Sequence, residues 1–314
     1  MATMILAGEL FAVAALVLFS LNIVLTKAAA ARLDLNLGFL VSVSVNVLFA
    51  ALLVLIQLAW RNDRPAWQTQ GFFLFLLAGA FSTWLGRWFF LESVVRFGPS
   101  RASIFQITSP LFTAVFAWTF LNETLKPLEL AGMGLALAGL LLVAPGGSAS
   151  GAPLAAVPQS PERQGRRGRM MRSALVLGLG SSIAYSAGTI FRGAGIRNWD
   201  EALLGALIGA SSGLVLHALF SRDKKQILGK LRRGDRRGMA LFALSGVLTI
   251  SAQACLIVSL KYIPVSVAAL ITLCTPVLVF PLSYLVFKNS EKISPLTLLG
   301  GVFTLAGVAL IVVR

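Results

Sequence analysis

Ten runs of mostly apolar residues divide this chain, at 9–31, 37–60, 71–95, 101–121, 127–144, 173–192, 201–220, 239–260, 265–287 and 295–313. Each is close to the roughly 20 residues that carry a helix across a hydrocarbon core about 30 Å thick. The runs are continuous and lack the strict alternation of a half-buried strand, so they predict helices. In lipid a helix also satisfies its own backbone N–H and C=O groups. Composition agrees: 57% of residues are hydrophobic and 12% charged, against roughly 45–50% and 25% in a soluble domain. The surplus apolar surface calls for lipid, and the expected class is an all-α integral membrane protein. The first run is read as a helix rather than a cleaved signal, because nothing before Phe11 is basic and Glu9 is acidic.

Residues 145–172 differ in kind. They are rich in Gly, Pro, Ser and Ala and then turn basic, a composition that cannot bury a core and predicts a flexible basic linker. The linker separates 1–144 from 173–314, with five runs in each. The two parts are copies. TSPLFTAVFAWTFLNE (108–123) aligns with CTPVLVFPLSYLVFKNSE (274–291), matching Pro110 to Pro276 and Glu123 to Glu291. Downstream, Pro127 matches Pro295, Gly132 matches Gly300 and Gly139 matches Gly307; upstream, Ser100 matches Ser266. Five is odd, so the second copy enters the membrane upside down. The expected architecture is ten transmembrane helices in two inverted five-helix repeats, a construction in which a substrate site lies near the midplane where the repeats meet.

Polar residues inside the runs are the candidates for such a site. Arg87 lies well inside the third run, where a charge costs about 2.5–3.5 kcal/mol on an insertion scale. It has no acidic residue at helical spacing, while Trp84 and Trp88 flank it and are placed to stack on a guanidinium. That pattern points to an anion or carboxylate clamp; a snorkelling side chain or a remote structural pair is the competing reading. The repeat offset sets Gln253 opposite Arg87, Gln106 opposite Thr272, and Ser109 opposite Thr275. Gln106, Ser109 and Thr113 share one helical stripe. Ser182, Tyr185, Ser186 and Thr189 form another, related to Asn22 and Thr26 of the first run. Matched stripes favour a polar cavity, although each residue alone is explained by an interhelical hydrogen bond.

Pro110 and Pro276 are candidate hinges or kinks. Each removes an N–H and frees the carbonyl four residues earlier, on Gln106 and Thr272. Glu123 and Glu291 fall at run ends, where capping of the next helix, for Glu123 the one that begins at Pro127, is the expected role. The glycines of the fifth and tenth runs, among them Gly132, Gly134, Gly139, Gly300, Gly301 and Gly307, read as close-packing positions rather than ligand contacts. Glu9 is a candidate proton carrier, with an interfacial position favoured. His217 and the cysteines Cys255 and Cys274 read as packing residues. No GxxxxGK[ST], HExxH or Cys/His zinc pattern occurs, so no cofactor or metal is expected.

The formal net charge is +15, but most of it lies in two interhelical segments. These are Arg163, Arg166, Arg167, Arg169 and Arg172 in the linker, and Arg222, Lys224, Lys225, Lys230, Arg232, Arg233, Arg236 and Arg237 between the seventh and eighth runs. Such loops face an anionic cytoplasmic leaflet rather than nucleic acid. By the positive-inside rule both termini are then outside.

The order Gly98-Pro99-Ser100-Arg101-Ala102, Pro110, Asn122-Glu123 and a Gly-rich helix resembles the EamA family of the drug/metabolite transporter superfamily. Asn22 and Lys27 resemble its first helix, and Pro276, Glu291 and Gly300-Gly301 its second domain. Phe19-Ser20 departs from it, standing where a tryptophan-containing stretch is common. The resemblance implies ten helices in two inverted halves, and movement of small metabolites, often amino acids, outward. It also implies both termini inside, against the charge count. The expected function is a secondary transporter of the plasma (inner) membrane. It would export a small polar metabolite such as an amino acid or organic anion, with the lipid bilayer as its surroundings and proton coupling as a candidate energy source. Efflux of lipophilic cations is the alternative. A non-transporting membrane protein or a lipid-acting enzyme ranks lower, since no paired carboxylates lie within the runs.

Overall fold

The computed structural model describes residues 2–61, 65–97, 106, 108–124, 126–143, 167–220, 234–287 and 295–312. They are helical almost throughout. The first repeat contains α1 (Ala2–Ala30), α2 (Leu35–Trp60), a composite third arm, α5 (Ser109–Leu121) and α6 (Pro127–Val143). The third arm runs through α3 (Thr69–Ala78), a π-helical stretch (Gly79–Gly86) and α4 (Arg87–Phe97). The second repeat contains α7 (Arg167–Asn198), α8 (Ala202–Phe220), α9 (Arg236–Tyr262), the pair α10 (Val265–Leu273) and α11 (Thr275–Phe287), and α12 (Pro295–Val312). Among the described residues, Thr3–Ala30, Leu37–Trp60, Thr69–Phe90, Ala202–Phe220 and Arg236–Tyr262 are each long and apolar enough to cross a membrane.

Packing repeats with the sequence. α1 lies along α9, as α7 lies along the third arm; α1 also meets α10 and α11, as α7 meets α5. α2 packs on α9, as α8 packs on the third arm. The remaining major contacts join equivalent arms: α2 with α8, α5 with α10, and α6 with α12. Exchanging the halves therefore leaves the pattern of neighbours largely unchanged.

Equivalent arms run antiparallel. Phe39, near the start of α2, packs edge-on against His217, near the end of α8, with ring centroids 4.6 Å apart. At the other end Arg61, just past α2, pairs with Glu201, just before α8, at 2.5 Å. Along α6 and α12 the order also reverses. A Cβ on Gly139 would lie 2.5 Å from the Gly300 carbonyl, and one on Gly307 would lie 2.6 Å from the Gly132 carbonyl. The halves are inverted, and these two glycines allow backbone-to-backbone contact. Gly134 meets nothing within 4 Å and Gly301 only the edge of Val277, so they take no part in it.

The starts of α2, α7, α9 and α12 share one face, here the linker face; their ends, with that of α5, share the terminal face. Two boundaries differ from the sequence reading. α7 begins at Arg167, inside the segment expected to be linker, and continues to Asn198 rather than ending at Arg192. The arginines that suggested an end are accommodated within the helix, and the chain turns only at Trp199-Asp200. Residues 144–166 lie outside the described residues.

The prolines stand where two helices restart. Pro110 is the second residue of α5 and Pro276 the second of α11. Pro276 cannot donate to the Thr272 carbonyl. The Thr275 hydroxyl and the Cys274 N–H donate to it instead, so the helix breaks at Cys274 and the freed carbonyl is satisfied within the chain.

Candidate functional site

Two matched hydroxyl contacts hold the repeats together around the interior. Ser186 of α7 donates to the Ser109 carbonyl of α5 at 2.8 Å. Ser20 of α1 donates to the Thr275 carbonyl of α11 at 3.5 Å, and to Leu16 at 2.7 Å. Ser20 and Ser186 are fully buried and occupy equivalent positions. The small residue in Phe19-Ser20 is what lets α1 approach α11.

Around this frame the candidate residues have different partners. Asn22, Thr26 and Ser245 join α1 to α9: Ser245 donates to Asn22 Oδ1 at 2.5 Å and lies 3.0 Å from the Thr26 hydroxyl. Thr272 donates to the Ala268 and Ala269 carbonyls, and Thr275 to that of Thr272. The Thr272 hydroxyl thus serves its own helix, and that of Thr275 the end of the helix before it. Gln253 is half-buried and forms no hydrogen bond among the described residues. Gln106 donates to Ser181 at 2.7 Å, and Ser181 donates to the Gly86 carbonyl at 2.9 Å. That chain crosses from Gln106, just ahead of α5, through α7 to the last residue of the π-helical stretch, immediately before Arg87.

The guanidinium of Arg87 lies over the Phe39 ring, 3.9 Å from its centroid. Trp84 does not stack on it: its ring faces Phe220, at 4.9 Å, and Trp88 is 52% exposed, on the outside of the bundle. Helical spacing brought Trp84 and Trp88 near Arg87 in sequence, but the arginine reaches toward α2 and α8. Phe39 and His217 sit near the linker-face ends of those helices, so Arg87 lies toward that face, above the middle.

Among the described residues, Arg192 carries its charge to mid-depth. Gly79 touches Gly209 and Thr83 touches Gly213, which sets the π-helical stretch level with the middle of α8. Arg192 is 8% exposed and donates to Ser82 within that stretch at 2.7 Å. Ser82 in turn donates to the Ala78 carbonyl at 2.7 Å. Among the described residues neither Arg192 nor Arg87 forms an ion pair with a carboxylate. The Tyr185 ring lies against Gly86. Sequence reading missed Arg192 because it stood at the apparent end of an apolar run. The signal was available: an α7 extended through Ile196 encloses it.

Chemically, the Arg192 guanidinium between the third arm and α7, with Arg87 toward the linker face, suits an anion. Among the described residues no cluster of His, Cys, Asp or Glu could hold a metal ion. Three acidic residues form ion pairs at the terminal face. Arg61 and Gln57 bond Glu201, Lys261 pairs with Asp200, and Arg197 pairs with Glu123. Glu123 does not cap the helix that begins at Pro127. It accepts from the Val265 N–H at 2.9 Å, the Ser266 N–H at 3.3 Å and the Ser266 hydroxyl at 3.1 Å. The left-handed Asn122, with φ of 53°, turns it toward the other repeat. Glu291 lies outside the described residues. Glu9 is buried, with 6% exposure, beside Gly8, whose Cβ would meet Tyr262 and Ile263.

Comparison with known proteins gives a family and a fold. The model of the EamA-like transporter family matches residues 6–144 and again 172–313. A solved crystal structure superposes with a TM-score of 0.70, covering 96% of this chain and 97% of its own, at 16% identity. No curated protein matches the chain.

Proposed function

The chain belongs to the EamA-like transporter family, and from that membership we propose that it is a secondary exporter of a small anionic or zwitterionic metabolite, such as an organic acid or amino acid. The carrying observation is Arg192, a buried guanidinium whose described partner is one hydroxyl. A buried charge without a counter-ion is costly, and an anion entering the site would supply one. Tyr185 and Arg87 extend the polar surface toward the linker face. Gln106, Ser109 and Asn22 belong to the surrounding interhelical seams, with Gln253, Thr272 and Thr275 on the opposing arms. Inverted halves that can each adopt the other's conformation would expose the site alternately to the two faces. Pro110 and Pro276 stand where the halves would flex.

The test is thermal stability of purified protein against amino acids, organic anions, phosphorylated metabolites and lipophilic cations. A ligand bound by the native state raises Tm by mass action. A carboxylate-bearing or phosphorylated solute is expected to stabilise the protein, and the effect is expected to vanish in Arg192→Gln. It then becomes the solute for a flux assay. Stabilisation by cations alone, equal in both proteins, would reject the anion site in favour of drug efflux.

A further inference from the structure

We propose that Glu123 is the latch that closes the terminal face of the transport path, and that its release opens that face. The proposal rests on the transport reading but not on the identity of the solute. α10 begins at Val265 after Pro264, which offers no side-chain cap. Its first N–H groups need a partner, and helices usually find one in a neighbouring Ser, Thr, Asp or Asn. Here the partner comes from the other repeat, 142 residues away. A local cap would stabilise α10 wherever the helix moved. A remote cap stabilises it only when α5 and α10 are together, so its energy depends on the relative position of the halves.

The same carboxylate also binds Arg197 at the end of α7. Three arms, α5, α7 and α10, therefore converge on one side chain that is 8% exposed. Beneath it the packing is tight. A Cβ on Gly193 would lie 2.3 Å from Val265 and 3.6 Å from Leu121. Separating these arms uncovers two backbone donors, a hydroxyl and a guanidinium at a membrane surface, where water can replace Glu123. That makes the contact reversible, as a gate needs, and unlike a bond broken in hydrocarbon.

The experiment reads accessibility, not transport. With Cys255 and Cys274 replaced by alanine, one reporter is Ala117→Cys, beneath the latch and 1% exposed; the other is Ala184→Cys, in the linker-side half and 3% exposed. A membrane-impermeant maleimide is applied to right-side-out and inside-out vesicles. Glu123→Gln keeps the shape but loses the charge. It is expected to raise terminal-face labelling of Ala117→Cys about tenfold, on the order of one charge-assisted hydrogen bond, and to lower linker-face labelling of Ala184→Cys. Ser266→Ala and Arg197→Gln are expected to act in the same direction with smaller effects, and they carry the test where Glu123→Gln does not fold. Unchanged labelling in the folded variants, or a rise at both reporters together, overturns the latch. Opposite shifts without flux of any solute keep the latch and reject transport; flux without the shifts does the reverse.

Discussion

Arg192 and Arg87 show how much depth decides at the scale of a residue. Both are arginines inside apolar helices, and Arg87 had the clearer sequence signal because its run extends on both sides. The structure gives it an aromatic face and a position toward the linker end, while Arg192 takes the middle. A guanidinium bound to an anion contributes about 1.5–3 kcal/mol, the range for hydrogen bonds to charged groups. Arg192→Gln is therefore expected to weaken binding of the stabilising solute by roughly 10–100-fold. Arg87→Gln, nearer the mouth, should weaken it less and slow its entry more, since a charge at an entrance acts mainly on association. Solute titrations of Tm, and initial flux rates at two salt concentrations, separate the two. Equal losses in both variants would place the site at the linker face instead. Glu123 carries the opposite lesson. Its charge and its position after a helix end were legible, but its partner was not, because capping rules search the neighbouring sequence and this partner is in the other repeat.

At the scale of the element, hydropathy located the arms well and their breaks poorly. A continuous apolar run records that lipid surrounds it, not that its hydrogen bonding changes. Nothing in GAFSTWLG (79–86) distinguishes a π-helical stretch from an α-helix, yet that stretch presents Ser82 to Arg192 and the Gly86 carbonyl to Ser181. Proline, which alters the backbone directly, did mark the restarts of α5 and α11. Glycine was informative as a class and ambiguous singly. Gly139 and Gly307 sit where α6 and α12 touch, and a methyl group there would fall 2.5 Å from backbone atoms. Gly139→Ala is expected to cost about 1–3 kcal/mol through forced separation of the helices. Gly134→Ala, whose Cβ would meet nothing within 4 Å, should be neutral or slightly stabilising because alanine is the better helix former. Melting of the two variants in the same detergent checks the contrast. Matching losses would mean that α6 and α12 do not form this seam.

For the whole molecule, inversion follows from parity, and parity depends on every arm being counted. The antiparallel pairing of α2 with α8 and of α6 with α12 supports the count independently of hydropathy. It also fixes which helix ends share a face: those that flank the segments 144–166 and 221–233 are on the side of the loop that holds Arg32. With the adjoining starts of α7 and α9, those segments hold 13 of the chain's 27 lysines and arginines, and cationic loops are retained on the cytoplasmic side during insertion. The terminal face is different in character. Three cations there, Arg61, Arg197 and Lys261, are each paired with a carboxylate, which lowers their net attraction to an anionic leaflet. The linker face is accordingly expected in the cytoplasm and both termini outside. A fluorescent protein that matures only in the cytoplasm should be bright when inserted within 145–160 and dark when fused after Arg314. Replacing Arg222, Lys224, Lys225, Lys230, Arg232 and Arg233 with glutamine should make the two signals more nearly equal, because it removes the bias while leaving the helices unchanged. A bright fusion after Arg314 in the unaltered chain would invert the assignment. The Glu123 latch would then close the cytoplasmic entrance, and the same cycle would begin from the other side.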